Sequence, residues 1–229
     1  MTTIPAPMQA VEQLFEPFTS PDWIYELKFD GYRCLAGIEA TSHEPLVQQM
    51  RQPGQRVRLV TKAGNDCTAW FPEITRDLEL LPEGPHVIDG EACVLRPDGT
   101  SDFNLLQARA RRRRRDPGAP PVVLCCFDLL LCNGKPTMHL PLMRRKDLLR
   151  ELIALIDDPK PALLFVQDLP ADAGLFRSWV LPQDQGGAGP RIEGVMAKRR
   201  DSFYRPGVRS DDWRKIKRPG WQDGRLWCP

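Results

Sequence analysis

Polar and apolar residues alternate through "WIYELKFDGYRCLAGIEA" (23–40), on both sides of a short Gly-centred turn, and the alternation predicts two strands. It resumes in "RVRLVTKAGNDC" (56–67), which ends in a Gly-Asn-Asp turn, while the polar stretch 41–55 between them reads as a surface loop. In "HVIDGEACVLRPDGT" (86–100) two Asp-Gly pairs punctuate an apolar pattern, which is a hairpin signal. The unbroken apolar run "VVLCCFDLLLCNG" (122–134) predicts a strand buried on both faces or nearly so. Further strands are predicted in "ALLFVQDL" (162–169), "RIEGVMAKRR" (191–200) and "DDWRKIKRP" (211–219).

Elsewhere the apolar spacing turns helical. "FPEITRDLELLP" (71–82) has Pro72 near its start and Pro82 closing it. Phe103, Leu105, Leu106 and Ala110 space a second helix from about Asp102 to Arg115, ended by "DPGAPP". The clearest helix is "PLMRRKDLLRELIALI" (141–156), apolar at intervals of three and four. "AGLFRSWV" (173–180) is another, followed by a flexible loop, "QDQGGAGP" (183–190). Hairpins mixed among helices, without internal repeats or a linker between two halves, predict one α+β domain.

Composition narrows the picture. A chain of 229 residues, 41% hydrophobic, can bury one substantial core, and its 23 prolines favour loops and strand edges over a helical bundle. The net charge of +2 says little about partners, but Arg111 to Arg115 are five consecutive arginines, so the basic character is local. The seven cysteines have no C-x-x-C spacing and the three histidines (His43, His86, His139) are scattered, which argues for free, reduced thiols and against a zinc site. No signal-peptide pattern opens the chain, and no apolar run approaches the roughly 18 residues of a membrane span. A cytoplasmic protein is expected.

Lys28 stands where the first strand runs out into its turn. To act as a nucleophile it must be neutral, and free lysine titrates near ~10.4, so partial burial and nearby cations would have to lower that value. Arg33, Lys198, Lys215 and Lys217 supply such cations in strand-like segments. Lys215 and Lys217, two apart in "WRKIK", share one strand face and make either a phosphate clamp or a solvated face. Glu91 and Glu193 lie in or beside apolar strands, placed either to take a hydroxyl or a hydrated Mg²⁺, or to form buried salt bridges such as Glu193 with Lys198. Phe127 in "LCCFDLLL" is core, or a platform for a purine.

Taken in order, "ELKFDGYR", "IDGEACVL", "CCFDLLL", "EGVMAKR" and "WRKIK" resemble the motif series of covalent nucleotidyltransferases. From about Trp23 to Arg218 the chain resembles the adenylation domain of ATP-dependent DNA ligases, most closely the bacterial domains associated with end joining. That resemblance implies a ligase-type nucleotidyltransferase fold, two mainly antiparallel β-sheets flanked by helices, with AMP held between them. It implies ATP and Mg²⁺ or Mn²⁺, and a domain at 23–218 between an N-terminal arm (1–22) and a tail (219–229). Lys28 would attack the α-phosphorus and carry AMP as a phosphoramidate. Glu26 would read the adenine amino group, Phe127 would stack on the base, and Glu91 would bind the ribose. Arg33 would contact the nucleotide or nick phosphate, Glu193 would serve the metal, and Lys215 and Lys217 would bind the α-phosphate. The implied partners are nicked duplex DNA, with end-joining proteins or an OB-fold protein in trans.

Two departures stand out. Lys62 in "TKAGND" replaces the arginine that relatives often carry, keeping charge for a DNA phosphate without the bidentate fork. Only 12 residues follow Lys217, too few for the OB-fold domain expected next in a ligase. Related readings are an RNA ligase, a GTP-using capping enzyme, or a nick-binding module that has lost self-adenylation; the intact lysine and both glutamates argue against the last.

The arginine run would surround most of a helix and cannot be core, so it is either a solvated loop or a phosphate-contacting patch, and the latter is expected here. Replacing Arg111, Arg112, Arg113, Arg114 and Arg115 with glutamine should flatten the salt dependence of nick binding, by about 0.9 in log–log slope for each phosphate no longer neutralised. An unchanged slope would make the run a solvated loop.

Overall fold

The computed structural model describes residues 2–11, 15–40, 56–82, 84–114, 118–181, 186–187 and 192–221. In chain order they form β1 (Gln9–Ala10), β2 (Ser20–Leu27), β3 (Tyr32–Ile38), β4 (Val57–Thr61), α1 (Pro72–Leu80), β5 (His86–Cys93), α2 (Phe103–Arg111) and β6 (Val123–Cys132). Then follow β7 (Lys135–Pro136), α3 (Leu142–Ile153), β8 (Leu163–Phe165), β9 (Asp168–Ala171), α4 (Ala173–Trp179), β10 (Gly194–Arg199), β11 (Arg209–Ser210) and β12 (Trp213–Lys217). The expected loop 41–55, Arg115, most of the 183–190 loop and Cys228 lie outside the described residues.

The two strands around Lys28 belong to different sheets. β2 pairs antiparallel with β10 and β9 in a four-stranded sheet ordered β12-β10-β2-β9. β3 pairs antiparallel with β4 and β5 in a six-stranded sheet, β4-β3-β5-β6-β7, in which β8 runs parallel beside β6. A short parallel pair, β1 with β11, straps the N-terminal arm onto the rest, and Met8 and Ala10 are buried there with Tyr204 and Trp213. Two mainly antiparallel sheets flanked by helices are therefore what the chain builds. Among the described residues no helix is long and apolar enough to cross a membrane.

Three local expectations need correction. Asp89-Gly90 makes no turn, because β5 runs through it unbroken. Gly90 is needed for close approach to β6: a Cβ there would stand 2.9 Å from the Cys125 carbonyl oxygen, and the ladder shifts register at this point. Of the two Asp-Gly pairs only Asp98-Gly99 turns, closing with a 2.9 Å bond from Gly99 N–H to the Arg96 carbonyl. Residues 162–169 are two strands in two sheets, β8 on β6 and β9 on β2, rather than one. Finally, α2 stops at Arg111, since Arg113 takes a positive φ of 50° that a right-handed helix cannot absorb. Its N-terminus is capped as the sequence allows, with the Asp102 side chain accepting from Leu105 N–H at 3.0 Å.

The main core lies between the large sheet and helices α1, α2 and α3. α3 turns Leu142, Arg145, Lys146, Leu149 and Leu152 inward, so two charged residues share its apolar face. Arg145 is fully buried and makes bonds of 2.7 and 3.0 Å to Asp128 on β6, with its Nη1 donating to the Leu140 and Ser202 carbonyls. Breaking such a pair leaves an uncompensated buried charge. Arg145→Met should lower stability by about 3–5 kcal/mol in urea unfolding, and Arg145→Met with Asp128→Leu should cost less than Arg145→Met alone.

Candidate active site

The end of β2 delivers Lys28 to the line where the sheets meet, and its N–H is fixed there by the Gly194 carbonyl at 2.9 Å. Alternation along β2 buries Tyr25 in the core of the small sheet and turns Glu26 toward a pocket between the sheets. Of the residues expected to hold a nucleotide, Glu26, Lys28, Arg33, Glu91, Phe127 and Lys215 line this pocket, and so does Lys62. Glu193 and Lys217 join them through the lysine itself. Lys28 Nζ donates to Glu193 Oε2 at 2.9 Å, and Lys217 Nζ lies 2.8 Å from Glu193 Oε1.

Charge is arranged around each carboxylate in turn. Burial works against the Glu193 charge, but Lys28 and Lys217 outweigh it and hold the carboxyl below the usual range. Glu193 therefore pairs with Lys28 and Lys217 rather than with Lys198, the partner anticipated as an alternative. Lys198 instead sits 2.5 Å from Glu26, whose other oxygen accepts from Lys146 Nζ at 2.6 Å. Arg33 forks onto Asp89 at 3.0 and 2.6 Å, and the Tyr204 hydroxyl donates to the same carboxylate at 2.7 Å. Burial opposes the Arg33 charge and the paired Asp89 more than restores it.

Phe127 and Trp213 meet edge to face, and both rings carry cations: Arg33 at 5.3 Å from each centroid, and Lys198 Nζ at 4.2 and 4.3 Å. Lys215 has its pKa lowered by burial and by the charges of Lys28, Lys217, Lys62 and Arg209. A cleft in which cations lower one another's affinity for protons is one that an anion would relieve. Glu91, opposite Arg33 in the β3–β5 ladder, is pushed up to about 7 by burial, which exceeds the lowering by Lys28 and Arg33.

Arg111 to Arg114 stand elsewhere and none lines the pocket. Arg111 bonds Gln107 at 3.1 Å, Arg113 lies over the Trp70 ring at 5.5 Å, and the Arg114 carbonyl accepts from Arg109. Sequence reasoning missed Asp89, taken for a turn residue, and Lys146, whose signal was a lysine four places after Leu142 and three before Leu149 on an apolar helix face. It also missed Gln9, Arg209 and Trp213, which line the pocket from β1, β11 and β12. The six described cysteines are free thiols, five of them buried. Among the described residues no group of three or more His, Cys, Asp or Glu side chains could hold a metal ion by itself.

Comparison with known proteins gives this geometry a family. The family model described as "ATP dependent DNA ligase domain" matches residues 3–217. The chain is 32% identical over 215 residues to the Bacillus subtilis "Bifunctional non-homologous end joining protein LigD", covering 88% of this chain and 32% of that protein. It is 32% identical over 212 residues to the Mycobacterium tuberculosis "Multifunctional non-homologous end joining DNA repair protein LigD", covering 93% of this chain and 24% of that protein. It thus spans a quarter to a third of these relatives. A solved structure of "mycobacterial DNA ligase D complexed with ATP and MES" superposes with a TM-score of 0.70 at 30% identity, over 93% of this chain and 60% of that one.

The Glu91 carboxyl gives the site a pH signature. Its folded-state pKa of about 7 lies above the ordinary 4.5, so its contribution to stability is complete below about 4.5 and is lost as pH rises through about 7. Glu91→Gln, fixed in the neutral form, should match wild type near pH 4.5 and exceed it at pH 8 by at most about 3 kcal/mol in denaturant unfolding. A gap that does not widen with pH would contradict this assignment.

Proposed function

This chain belongs to the ATP-dependent DNA ligase domain family, and from that membership we propose that it loads AMP onto Lys28 and uses it to seal 5′-phosphate/3′-hydroxyl nicks in duplex DNA. The observation that carries the reading is the Lys28 amine at the sheet junction, 2.9 Å from Glu193, in a pocket also lined by Lys62, Arg209 and Lys215. Triphosphate and nick phosphate are both anions, and this pocket is preloaded with cations at the nucleophile.

The chemistry balances as three displacements at phosphorus. The Lys28 nitrogen, having left Glu193 and lost its proton, forms a bond to the α-phosphorus of ATP; the bond to the β-phosphate oxygen breaks and pyrophosphate leaves with that electron pair. An oxygen of the nick 5′-phosphate then displaces the lysine, which regains a proton, and AMP is joined to the DNA end. The 3′-hydroxyl oxygen attacks the former 5′-phosphate phosphorus, loses its proton and expels AMP. Fixed cations suit every step, because charge builds on phosphate oxygens in each transition state.

The remaining roles are those the family resemblance implies. Glu26, held between two lysines, is an acceptor for the adenine amino group, Phe127 is the platform for the base, and Glu91 binds the ribose. Arg33, anchored on Asp89, flanks the nucleotide or nick phosphate, Lys215 and Lys217 face the α-phosphate, and Lys62 with the Arg111–Arg115 run contacts DNA. An ionised Glu193 suits Mg²⁺ or Mn²⁺, since a hydrated ion needs only one or two carboxylates besides the substrate phosphates. Such an ion would neutralise charge developing on the phosphate oxygens. End-joining proteins, and an OB-fold unit that would orient the pyrophosphate leaving group, are the partners this reading calls for.

Intact mass before and after Mg²⁺-ATP, with Lys28→Ala alongside, tests the proposal directly. An AMP-sized gain is expected in wild type and should vanish in the variant. If there is no gain, a nick already carrying AMP supplies the second arm, and failure to seal it as well would overturn the reading.

A further inference from the structure

β1 is only two residues long, yet it sets a side chain into the pocket. It runs parallel to β11 with Gln9 opposite Arg209 and Ala10 opposite Ser210, and its backbone is held by a 2.9 Å bond from Gln9 N–H to the Val208 carbonyl. Met8 and Ala10 are buried against Tyr204 and Trp213, and Gln9 lines the pocket together with Ala10. Its Oε1 is buried and accepts no hydrogen bond. Among the described residues three buried side-chain polar atoms lack a hydrogen bond, namely Gln9 Oε1, Lys198 Nζ and Trp213 Nε1, and all three residues line this pocket. Lys198 Nζ has Glu26 as an ion-pair partner, and Gln9 Oε1 is the only acceptor of the three. A buried acceptor without a donor is destabilising and calls for an explanation, and its place in one cleft with the unbonded Trp213 Nε1 points to a ligand that completes both.

We propose that Gln9 is a specificity-determining residue whose side-chain oxygen accepts a hydrogen bond from a sugar hydroxyl of the substrate. The inference rests on the ligase reading and proceeds by counting donors. Phosphates only accept at neutral pH. Apart from the base-edge donors in the DNA grooves, ATP and a nick together donate from the adenine amino group, the two ribose hydroxyls and the DNA 3′-hydroxyl at the break. The amino group is taken by Glu26 and one ribose hydroxyl by Glu91 in the reading above, which leaves the second ribose hydroxyl or the DNA 3′-hydroxyl for Gln9. A neutral carboxamide suits this position because it accepts without placing a second negative charge beside the phosphates that Lys62, Arg209 and Lys215 await.

The source of the hydroxyl, nucleotide ribose or nick terminus, is separated by two arms on the full chain. Calorimetry measures binding of ATP, 2′-deoxyATP and 3′-deoxyATP to wild type and to Gln9→Leu, which keeps bulk but removes the amide. Single-turnover sealing of a pre-adenylated nick is followed for the same pair. A ribose contact predicts about fivefold weaker ATP binding by Gln9→Leu, with no weakening toward whichever deoxynucleotide lacks the contacted hydroxyl. A nick contact predicts unchanged nucleotide binding and about fivefold slower sealing. Equal weakening toward all three nucleotides, or no change in either arm, would overturn the proposal. Gln9→Asn, which withdraws the oxygen by one methylene, replaces Gln9→Leu if the latter does not fold. Wild type that binds ATP but neither gains AMP nor seals would sink the ligase reading and leave the nucleotide arm to judge Gln9 alone.

Discussion

A side chain at position 31 would place its first carbon 2.2 Å from the Ala92 carbonyl oxygen and 2.7 Å from Cys93 Sγ. Only glycine lets the turn after Lys28 lie this close on β5, and the arrangement of the site depends on that contact. Because the turn hugs the large sheet while β2 belongs to the small one, Lys28 hangs at the seam. Glu193 then reaches it from the small-sheet side and Glu91 acts on it electrostatically from the large sheet. A bulkier turn would pry the seam apart and separate the lysine from the carboxylates that surround it.

Around that seam, buried carboxylates are matched by cations or hydroxyls: Glu26 by Lys146 and Lys198, Glu193 by Lys28 and Lys217, Asp89 by Arg33 and Tyr204, Asp128 by Arg145. Such pairing is what makes charges tolerable away from water. Lys62 and Lys215 line the pocket with no ion-pair partner among the described residues, so the positive excess falls on the cleft and not on the core. One set of cations thus balances the buried carboxylates, and a second set leaves a field in the cleft that favours an anion.

How legible this was depended on the range of the interaction. Lys28 at the end of an alternating strand, the paired lysines of "WRKIK" and the two glutamates in apolar runs are local signals, and they gather in and beside one pocket. The Asp89-Gly90 pair misled because the letters of a turn are also those of a buried ion-pair partner beside a close-packed glycine; only Arg33, distant in sequence, tells them apart. Residues 162–169 concealed a change of sheet inside one apolar run, and α3 concealed Lys146 within a helix whose amphipathic spacing reads as simple core packing. Gln9 was out of reach for a plainer reason. Two residues carry no period, and its place follows from pairing with β11.

The strap formed by that pairing also bears on how the molecule assembles. Met8 bonds Tyr204 across 196 positions, and Lys28 meets Glu193 across 165, so both halves of the cleft wait on residues made long after Lys28. Contacts of this span close slowly, since the loop entropy is spent before any pairing rewards it. On the ribosome, β2 emerges long before β10, the central neighbour it needs, and stays an unpaired edge in the meantime. The pocket therefore closes only once β10 has been made, and until then a nascent chain holds Lys28 in open water.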